Sequence, residues 1–195
     1  MNVPRSRTRL LATTLALLVS CALAGPRPAA AALADWKGHL ALGYAKLFNS
    51  GAPAGGFSIG AGFDYPVGDF RIGPDIGYHL LGTRTLQSGS LNANLDYSLF
   101  EAGFRAHWEP AHAGPLARIS FGPALMAASA QVSTSSGGLA FEKYEVSQVR
   151  GGAAFDLALY PAHAVVGVGL ELGARVAMLR GDTWSVGTAR LVLHY

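Results

Sequence analysis

Cysteine and lysine are scarce in this chain of 195 residues. Cys21 is the single cysteine, which excludes an intrachain disulfide. The three lysines, Lys37, Lys46 and Lys143, are too few for strand faces that are solvated mainly by lysine. After the first residues, no stretch approaches the ~20 consecutive apolar residues that a membrane-spanning helix needs. Any segment that crosses a membrane must therefore be a strand.

The first residues have the order of a secretory signal peptide. Three arginines before residue 10 precede an apolar run from Leu10 to Val19 and the small-residue site Ala22-Leu23-Ala24. This order predicts an exported chain, with cleavage after Ala24 or as late as Ala34. Removal of the three arginines leaves twelve basic residues against twelve acidic ones. Because the remaining chain is near neutral, we expect no nucleic-acid partner.

The rest of the chain alternates apolar and polar residues with period two, as half-buried strands do. The clearest case runs from Val166 to Met178, where Val, Leu and Ala oppose glycines, Glu171 and Arg175. Eight such segments occur: Trp36 to Lys46, Phe57 to Tyr65, Phe70 to Leu80, Phe100 to Trp108, Ala117 to Leu125, Val149 to Leu159, Val166 to Met178 and Thr188 to Tyr195. The pattern predicts an all-β chain with eight antiparallel strands.

The connections between these segments alternate in length. Short ones are predicted at Val67-Gly68, Glu109 to Gly114 and Pro161 to Ala164. Longer connections rich in Gly, Ser and Asn are predicted at about Phe48 to Gly56, Gly82 to Asn94 and Ser129 to Ser147, whereas the last, Arg180-Gly181-Asp182, is short. Tight turns on one side and longer loops on the other are typical of membrane barrels. A two-residue turn at Val67-Gly68 would set Asp64 opposite Arg71, so we expect a cross-strand ion pair there.

The composition of the polar face decides which face is inside. It combines arginines with carboxylates, and most of the strand glycines fall on it. Guanidinium groups that pair with several acceptors suit an enclosed polar interior, which in a small barrel also needs glycine. The other face is aliphatic and aromatic, which would be a large exposed apolar surface in water but is the expected surface in lipid. The predicted lumen ion network is Asp64, Arg71, Asp75, Glu101, Arg105, Arg118, Arg150, Asp156, Glu171, Arg175 and Arg190.

The chain from Trp36 to Tyr195 resembles the small Gram-negative outer-membrane barrels of the OmpA/OmpX type. The resemblance rests on the eight segments, the Arg-and-carboxylate face and the C-terminal residues. The ending is similar to the signal that the outer-membrane insertion machinery reads, with Leu191, Leu193 and the final Tyr195 as its residues. The resemblance as a whole implies an eight-stranded up-and-down transmembrane β-barrel that is exported to the outer membrane. It also implies that the barrel contacts outer-membrane lipid and is a monomer. The expected organisation is a signal peptide over 1–24, a short N-terminal leader over 25–35 and the barrel over 36–195.

Cys21 has a second interpretation. Leu18-Val19-Ser20-Cys21 resembles the lipobox of bacterial lipoproteins, in which the chain is cut before the cysteine and lipid is attached to it. A spanning barrel needs no lipid anchor, so we favour a cysteine that is discarded with the signal peptide.

Catalytic and metal-binding interpretations have weaker support in the sequence. Some small outer-membrane barrels are enzymes that modify lipid A. The deacylases among them are recognised by a His-x-Ser arrangement on one strand, and this chain contains no His-x-Ser. Ser98 with Glu101, and Ser147 with Glu145, have no histidine nearby in sequence. Four histidines share the polar face, on four segments without a short ligand spacing: His39, His79, His107 and His194. We therefore expect no enzyme, no cofactor and no metal site.

Two functions from different classes remain open at this stage, with a lipid A-modifying enzyme as a less favoured third. The first is a barrel with a structural or envelope role, or with weak passage of small solutes, although an eight-stranded barrel is filled by its own side chains. The second is a surface-binding barrel that acts through its external loops. Leu95, Tyr97 and Leu99, with Phe141 and Tyr144, bring apolar residues into these loops. They indicate either strands that extend past the membrane and pack on each other, or a protruding sheet that binds partners at its edge.

Overall fold

A computed structural model describes residues 36–49, 51–53, 55–109, 116–136, 139–140, 143–160 and 167–195. The expected signal peptide, the leader and Cys21 lie outside these residues. So do most of the two predicted short connections after Trp108 and Tyr160, as well as Phe141 and Val166. Among the described residues, no helix has the length and hydropathy needed to cross a membrane.

The described chain consists of antiparallel strands, whose bounds are β1 Lys37–Leu47, β2 Gly56–Val67, β3 Phe70–Ser88, β4 Leu91–Trp108, β5 Leu116–Ser136, β6 Leu139–Ala140, β7 Tyr144–Tyr160, β8 Gly167–Leu179 and β9 Asp182–His194. β6 has two residues and pairs only with the end of β5. The other eight strands each pair with their neighbours along the chain. β1 also pairs with β9, from His39 opposite His194 to Leu47 opposite Val186. The ring is therefore closed, and the predicted eight-stranded up-and-down barrel is confirmed.

Side chains alternate between the outside and the inside of this ring. On β8, Leu170 and Leu172 are 64% and 62% exposed, whereas Glu171 and Arg175 are 6% and 0% exposed. The same alternation of exposed apolar and buried residues runs through the barrel portions of the other long strands. Apolar side chains thus face outward and charged ones face inward, which is the arrangement of a barrel that is surrounded by lipid.

The two ends of the barrel differ. One end, called the turn end here, holds the β2–β3 turn and the C-terminus, where Tyr195 and Gly38 exchange two backbone hydrogen bonds of 2.9 and 3.1 Å. The other end, called the hairpin end, holds the β1–β2 connection, the β8–β9 turn and the long hairpins of β3 with β4 and of β5 with β7.

The first turn lies one residue further along the chain than predicted. Val67 pairs with Phe70, so the two turn residues are Gly68-Asp69, and Gly68 takes a φ of 61° that glycine adopts without strain. Arg71 therefore pairs with Pro66, and the prediction that it lies directly opposite Asp64 is wrong. The two side chains still meet, because the long arginine reaches diagonally and its Nε donates to Asp64 Oδ1.

Two connections that the sequence indicated as long loops are mainly strand. β3 continues to Ser88 and β4 begins at Leu91, so the predicted loop from Gly82 to Asn94 is a hairpin with a two-residue turn. β5 and β7 likewise pair from Val132 opposite Tyr144 downward into the barrel. Only the loop from Phe48 to Gly56 keeps about its predicted length. The loop predictions failed because the polarity of the strand faces reverses at the hairpin end. There the polar side chains take the outward positions and the apolar ones take the inward positions.

The outward placement of Leu172 generates a prediction about stability. The substitution Leu172→Arg should lower the free energy of unfolding in lipid vesicles by about 2–4 kcal/mol, because it places a charge in hydrocarbon near the middle of β8. Gln87→Arg is the matched control: Gln87 is exposed on the part of β3 beyond the barrel, where a new charge should change stability by less than about 0.5 kcal/mol. Urea titration followed by the heat-modifiable gel shift measures both variants. Equal losses would contradict the orientation.

Candidate functional sites in the lumen and beyond the barrel

Two arginines hold the carboxylates at the centre of the lumen. Arg105, on β4, places Nη2 3.0 Å from Glu101 Oε1 and 3.4 Å from Asp75 Oδ1, and its Nη1 donates to Asp156 Oδ2. Arg175, on β8, places Nε 3.2 Å from Glu101 Oε1 and Nη2 3.3 Å from Asp156 Oδ2. All five side chains are buried. Each guanidinium contacts carboxylates from different strands, so the pairs link walls of the barrel that do not hydrogen-bond to each other.

The network extends along β8 and β9. Glu171 and Arg190 are direct cross-strand partners, and Arg190 Nε donates to Glu171 Oε1 at 2.7 Å. Arg190 Nη2 also lies 3.4 Å from Asp156 Oδ1 on β7. Glycines make room for these groups, since a Cβ atom at Gly77 would lie 2.7 Å from Glu101 Oε1. The glycine content of the polar face thus follows from the crowding of a narrow lumen.

A second charged cluster lies at the turn end. The buried carboxylate of Asp64 accepts from Arg71 Nε and from Arg118 Nη2, the latter at 2.6 Å. Arg118 also donates through Nε to His107 Nδ1 at 3.2 Å, and its Nη1 lies 3.1 Å from His194 Nδ1. One guanidinium therefore fills the space between a carboxylate and two imidazoles.

The residues of the predicted network divide between these two clusters, with one exception. Arg150 is exposed, and its Nη1 donates to the carbonyl oxygen of Val149 at 3.1 Å. No ion pair of Arg150 is found among the described residues. Pairing of β7 with β8 ends at Gly152 opposite Ala177, so β7 has left the closed ring where Arg150 lies. The prediction that Arg150 belongs to the lumen network is wrong for this reason.

The hairpin end of the lumen is apolar, which was not expected from the sequence. A buried cluster fills the inner face there, and its largest members are Leu47, Leu81, Leu99, Met126, Trp184 and Val186. Tyr97 packs against it, with its ring 5.8 Å from that of Trp184. The signal was present in the parity of the strands, because Leu99 lies two residues from Glu101 and so shares its inward face. We call this cluster the apolar layer.

A cavity of about 10 Å³ lies between the two charged clusters, a volume that holds about one water molecule. It is lined by His39, Asp75, Arg105, His107, Arg118, Ser120, Asp156, Glu171, Arg190 and His194. Interior space in this part of the lumen is therefore on the scale of single water molecules.

Ser58, His79 and Glu101 form a row that resembles a hydrolase triad. Ser58 Oγ lies 2.9 Å from His79 Nδ1, and His79 Nε2 lies 3.5 Å from Glu101 Oε1. All three side chains are fully buried, and Glu101 is already held by Arg105 and Arg175. A nucleophile must reach its substrate, so the row acts as packing within the lumen.

The other catalytic and metal-binding candidates do not form sites in the described chain. Glu145 accepts a hydrogen bond from Ser129 Oγ at 2.9 Å, and Ser98 faces the opposite side of β4 from Glu101. His39, His79 and His107 are buried on the inner face, and His194 is partly buried there. No group of three or more His, Cys, Asp or Glu side chains in the described ranges is arranged to hold a metal ion.

The long hairpins continue as a four-stranded sheet beyond the ring, formed by residues 82–88, 91–98, 128–136 and 144–148. We call it the external sheet. It is polar on the face that continues the outside of the barrel and largely apolar on the face above the lumen. The outward positions, assigned from the strand register, are Thr83, Thr85, Gln87, Asn92, Asn94, Asp96, Ser98, Ser129, Gln131, Ser133, Ser135, Glu145 and Ser147. In the ring below the apolar layer, the same strands have the opposite polarity, with apolar side chains outward and charged ones inward.

Comparison with known proteins shows which solved structures share this fold. No protein-family model matches the sequence, and no curated protein matches it. Neisserial surface protein A superposes on 82% of this chain and 96% of its own, with a TM-score of 0.55 and 16% identity. This chain has the fold of the small outer-membrane β-barrels. At 16% identity the likeness concerns the fold alone, and it confirms the resemblance noted in the sequence.

Two further outer-membrane barrels match with lower scores. Ail, the attachment invasion locus protein of Yersinia pestis, superposes with a TM-score of 0.45 at 15% identity, over 83% of this chain and 99% of its own. The N-terminal β-barrel domain of Pseudomonas aeruginosa OprF does so with a TM-score of 0.41 at 13% identity, over 83% and 98%.

The central network of this barrel generates a second prediction. Arg175→Met should lower the free energy of unfolding by about 3–5 kcal/mol, because it leaves Glu101 and Asp156 short of a buried counter-charge. Adding Glu101→Gln should recover part of that loss. Arg150→Met, on the exposed guanidinium, should change stability by less than about 0.5 kcal/mol. Urea titration in detergent micelles measures all three variants, and a loss at Arg150 equal to that at Arg175 would refute the assignment.

Proposed function

We propose that this chain is an integral outer-membrane barrel of a Gram-negative bacterium with a structural role in the envelope, and that its lumen does not conduct solutes. The filled lumen is the observation that carries this proposal. Charged side chains occupy its centre and turn end, and the apolar layer occupies its hairpin end.

A solute would meet two different obstacles on its way through this lumen. The first is the ion network, since displacing Arg105 or Arg175 leaves buried carboxylates unpaired, which is strongly unfavourable. The second is the apolar layer, which offers no hydrogen bonds to a hydrated ion or to a small polar solute. Weak passage of small solutes, which the sequence left open, is therefore the less favoured function.

The outward face supports placement in a membrane. The exposed aliphatic side chains of the barrel portion fit acyl chains, and aromatic residues stand near strand ends at the turn end, among them Trp36, Tyr65, Trp108 and Tyr195. We infer export through a signal peptide, contact with outer-membrane lipid and a monomeric barrel. We also infer no enzymatic activity, because the Ser58–His79–Glu101 row is sealed from substrates.

Planar-bilayer recording tests the closed lumen. Insertion of the refolded barrel should produce no unit conductance steps, because the lumen holds charged and apolar side chains along its length. The control is the heat-modifiable gel shift of the same preparation, which shows that folded barrels are present. Steps that appear in proportion to the amount of folded barrel would overturn the proposal in favour of a pore.

The C-terminal strand supports recognition by the outer-membrane insertion machinery as a partner. Leu191 and Tyr195 are exposed on the outer face and Leu193 is partly buried there, so the three residues of the terminal pattern share one side of the chain. Tyr195→Ala keeps the backbone bonds to Gly38 and should reduce assembly in cells by about tenfold, a loss worth ~1.4 kcal/mol of recognition. Its refolding yield in detergent should stay unchanged, because the bonds that close the ring remain.

Tyr144→Ala serves as the control, since Tyr144 is an exposed tyrosine on the external sheet. Outer-membrane fractionation with quantitative blotting measures assembly of both variants. Equal assembly of Tyr195→Ala and the unchanged chain would remove the C-terminus from the recognition signal.

The external sheet supports surface binding as the second candidate function. Its two edge segments, 82–88 of β3 and 144–148 of β7, lie beyond the residues that pair with β2 and β8 in the ring. Surface binding and a structural barrel are compatible, because the external sheet lies outside the closed lumen.

A further inference from the structure

The outward face of the external sheet has an unusual composition. Its thirteen outward positions, named above, carry hydroxyl or amide side chains except for Asp96 and Glu145, and none is apolar or cationic. The two carboxylates are engaged by neighbouring hydroxyls, since Thr83 donates to Asp96 at 2.5 Å and Ser129 to Glu145 at 2.9 Å. The face therefore presents mainly uncharged donors and acceptors with two carboxylates among them, and it lacks the cations of an anion-binding surface.

This polar face begins where the lipid-facing surface ends. Along β4 the outward side chains change from Phe100 to Ser98, and along β7 they change from Val149 to Ser147. β5 makes the same change after Ala127, at the same register level, because Phe100 pairs with Ala127 and Ser98 pairs with Ser129. On β3 the change comes one pair later, because Leu80 still faces outward opposite Ser98 and Thr83 is the first polar outward residue. In the proposed membrane placement this boundary marks the top of the hydrocarbon, and the polar face stands in the headgroup zone directly above it.

Exposure to water does not by itself explain this polarity. The opposite face of the same strands is also exposed, yet it carries large apolar residues: Leu86, Leu91, Tyr144 and Val146 are all more than 40% exposed. If solubility were the only constraint on the external sheet, charged residues would be expected on both of its faces. The two faces differ in what lies beside them, since only the outward face looks toward neighbouring membrane lipids.

We propose that the outward face of the external sheet binds the sugar residues of the glycolipid in the surrounding outer leaflet. Hydroxyl and amide groups match the donors and acceptors of sugar hydroxyls, and the lack of lysine and arginine on this face argues against direct phosphate recognition. Six to seven residues of strand rise about 20 Å, which spans several sugar units. Thr85 and Asn94, linked at 2.8 Å, show how paired side chains are held in place across this face.

Weak contacts suffice for such a surface. Glycolipid molecules that surround the barrel are held beside the sheet at high effective concentration, so each sugar contact adds to lipid contacts that already exist. This inference rests on the proposed placement in the outer membrane and deepens the second candidate function, because it names the partner of the external sheet.

The test uses the barrel without its signal peptide in micelles and core oligosaccharide released from lipopolysaccharide by mild acid hydrolysis, which cleaves the core from lipid A. Titration followed by ¹⁵N NMR should shift the side-chain amides of Asn92 and Asn94. The double variant Ser133→Ala/Ser135→Ala should weaken binding about fivefold, from the loss of hydrogen bonds at two outward hydroxyls. The matched control Thr134→Ala/Ser136→Ala removes inward hydroxyls from the same strand and should leave the affinity unchanged.

Three outcomes would overturn the inference: no shift with the oligosaccharide, equal weakening by the inward control, or shifts only with vesicles of lipid A lacking core sugars or with inorganic phosphate. Outer-membrane fractionation of the same chain separates this failure from failure of the proposed function. A chain that inserts normally but does not bind the oligosaccharide would refute only the inference about sugar binding. A chain that does not fractionate with the outer membrane would refute the proposed location in that membrane.

Discussion

A sheet that crosses hydrocarbon must pair all of its own backbone donors and acceptors, because the bilayer core offers no water to replace them. Pairing of β1 with β9 meets this requirement by closing the ring. Closure with only eight strands leaves a lumen so narrow that side chains have to fill it. The content of that lumen, its glycines and its ion pairs all follow from this one constraint.

The lumen is filled in two chemically different ways. Its centre and turn end contain buried arginines, each of which bonds to carboxylates or imidazoles on more than one strand, as Arg105 and Arg118 do. Its hairpin end contains the apolar layer. The apolar layer covers the charged network at the hairpin end, where its side chains offer water no hydrogen-bonding groups. The combined result is a barrel whose described interior is filled by side chains.

The change of facial polarity at the hairpin end connects the barrel to its surroundings. Within the ring, outward side chains are apolar, and inward ones are charged at the centre and turn end and apolar in the apolar layer. Beyond the ring, the outward side chains become hydroxyls and amides, while the inward ones become largely apolar and continue the apolar layer through Tyr97. The same four strands therefore serve as membrane wall and as external sheet, with the surrounding solvent deciding the character of each face.

The sequence by itself determined the strand count, the closed antiparallel fold and the direction in which charges point, because an alternation of period two leaves a charge such as Glu171 or Arg175 only one sheltered face. It did not determine register, since a turn at Gly68-Asp69 rather than Val67-Gly68 moves Arg71 opposite Pro66 without disturbing the alternation. It also missed the ends of the long hairpins, because the reversal of facial polarity there looks like loop composition. Only the tertiary structure decided which side chains meet. Ser58, His79 and Glu101 come from three strands. Arg150 lies outside the network because β7 extends beyond the residues that pair with β8. Such contacts depend on how far each strand rises past its neighbour, a quantity that side-chain alternation does not record.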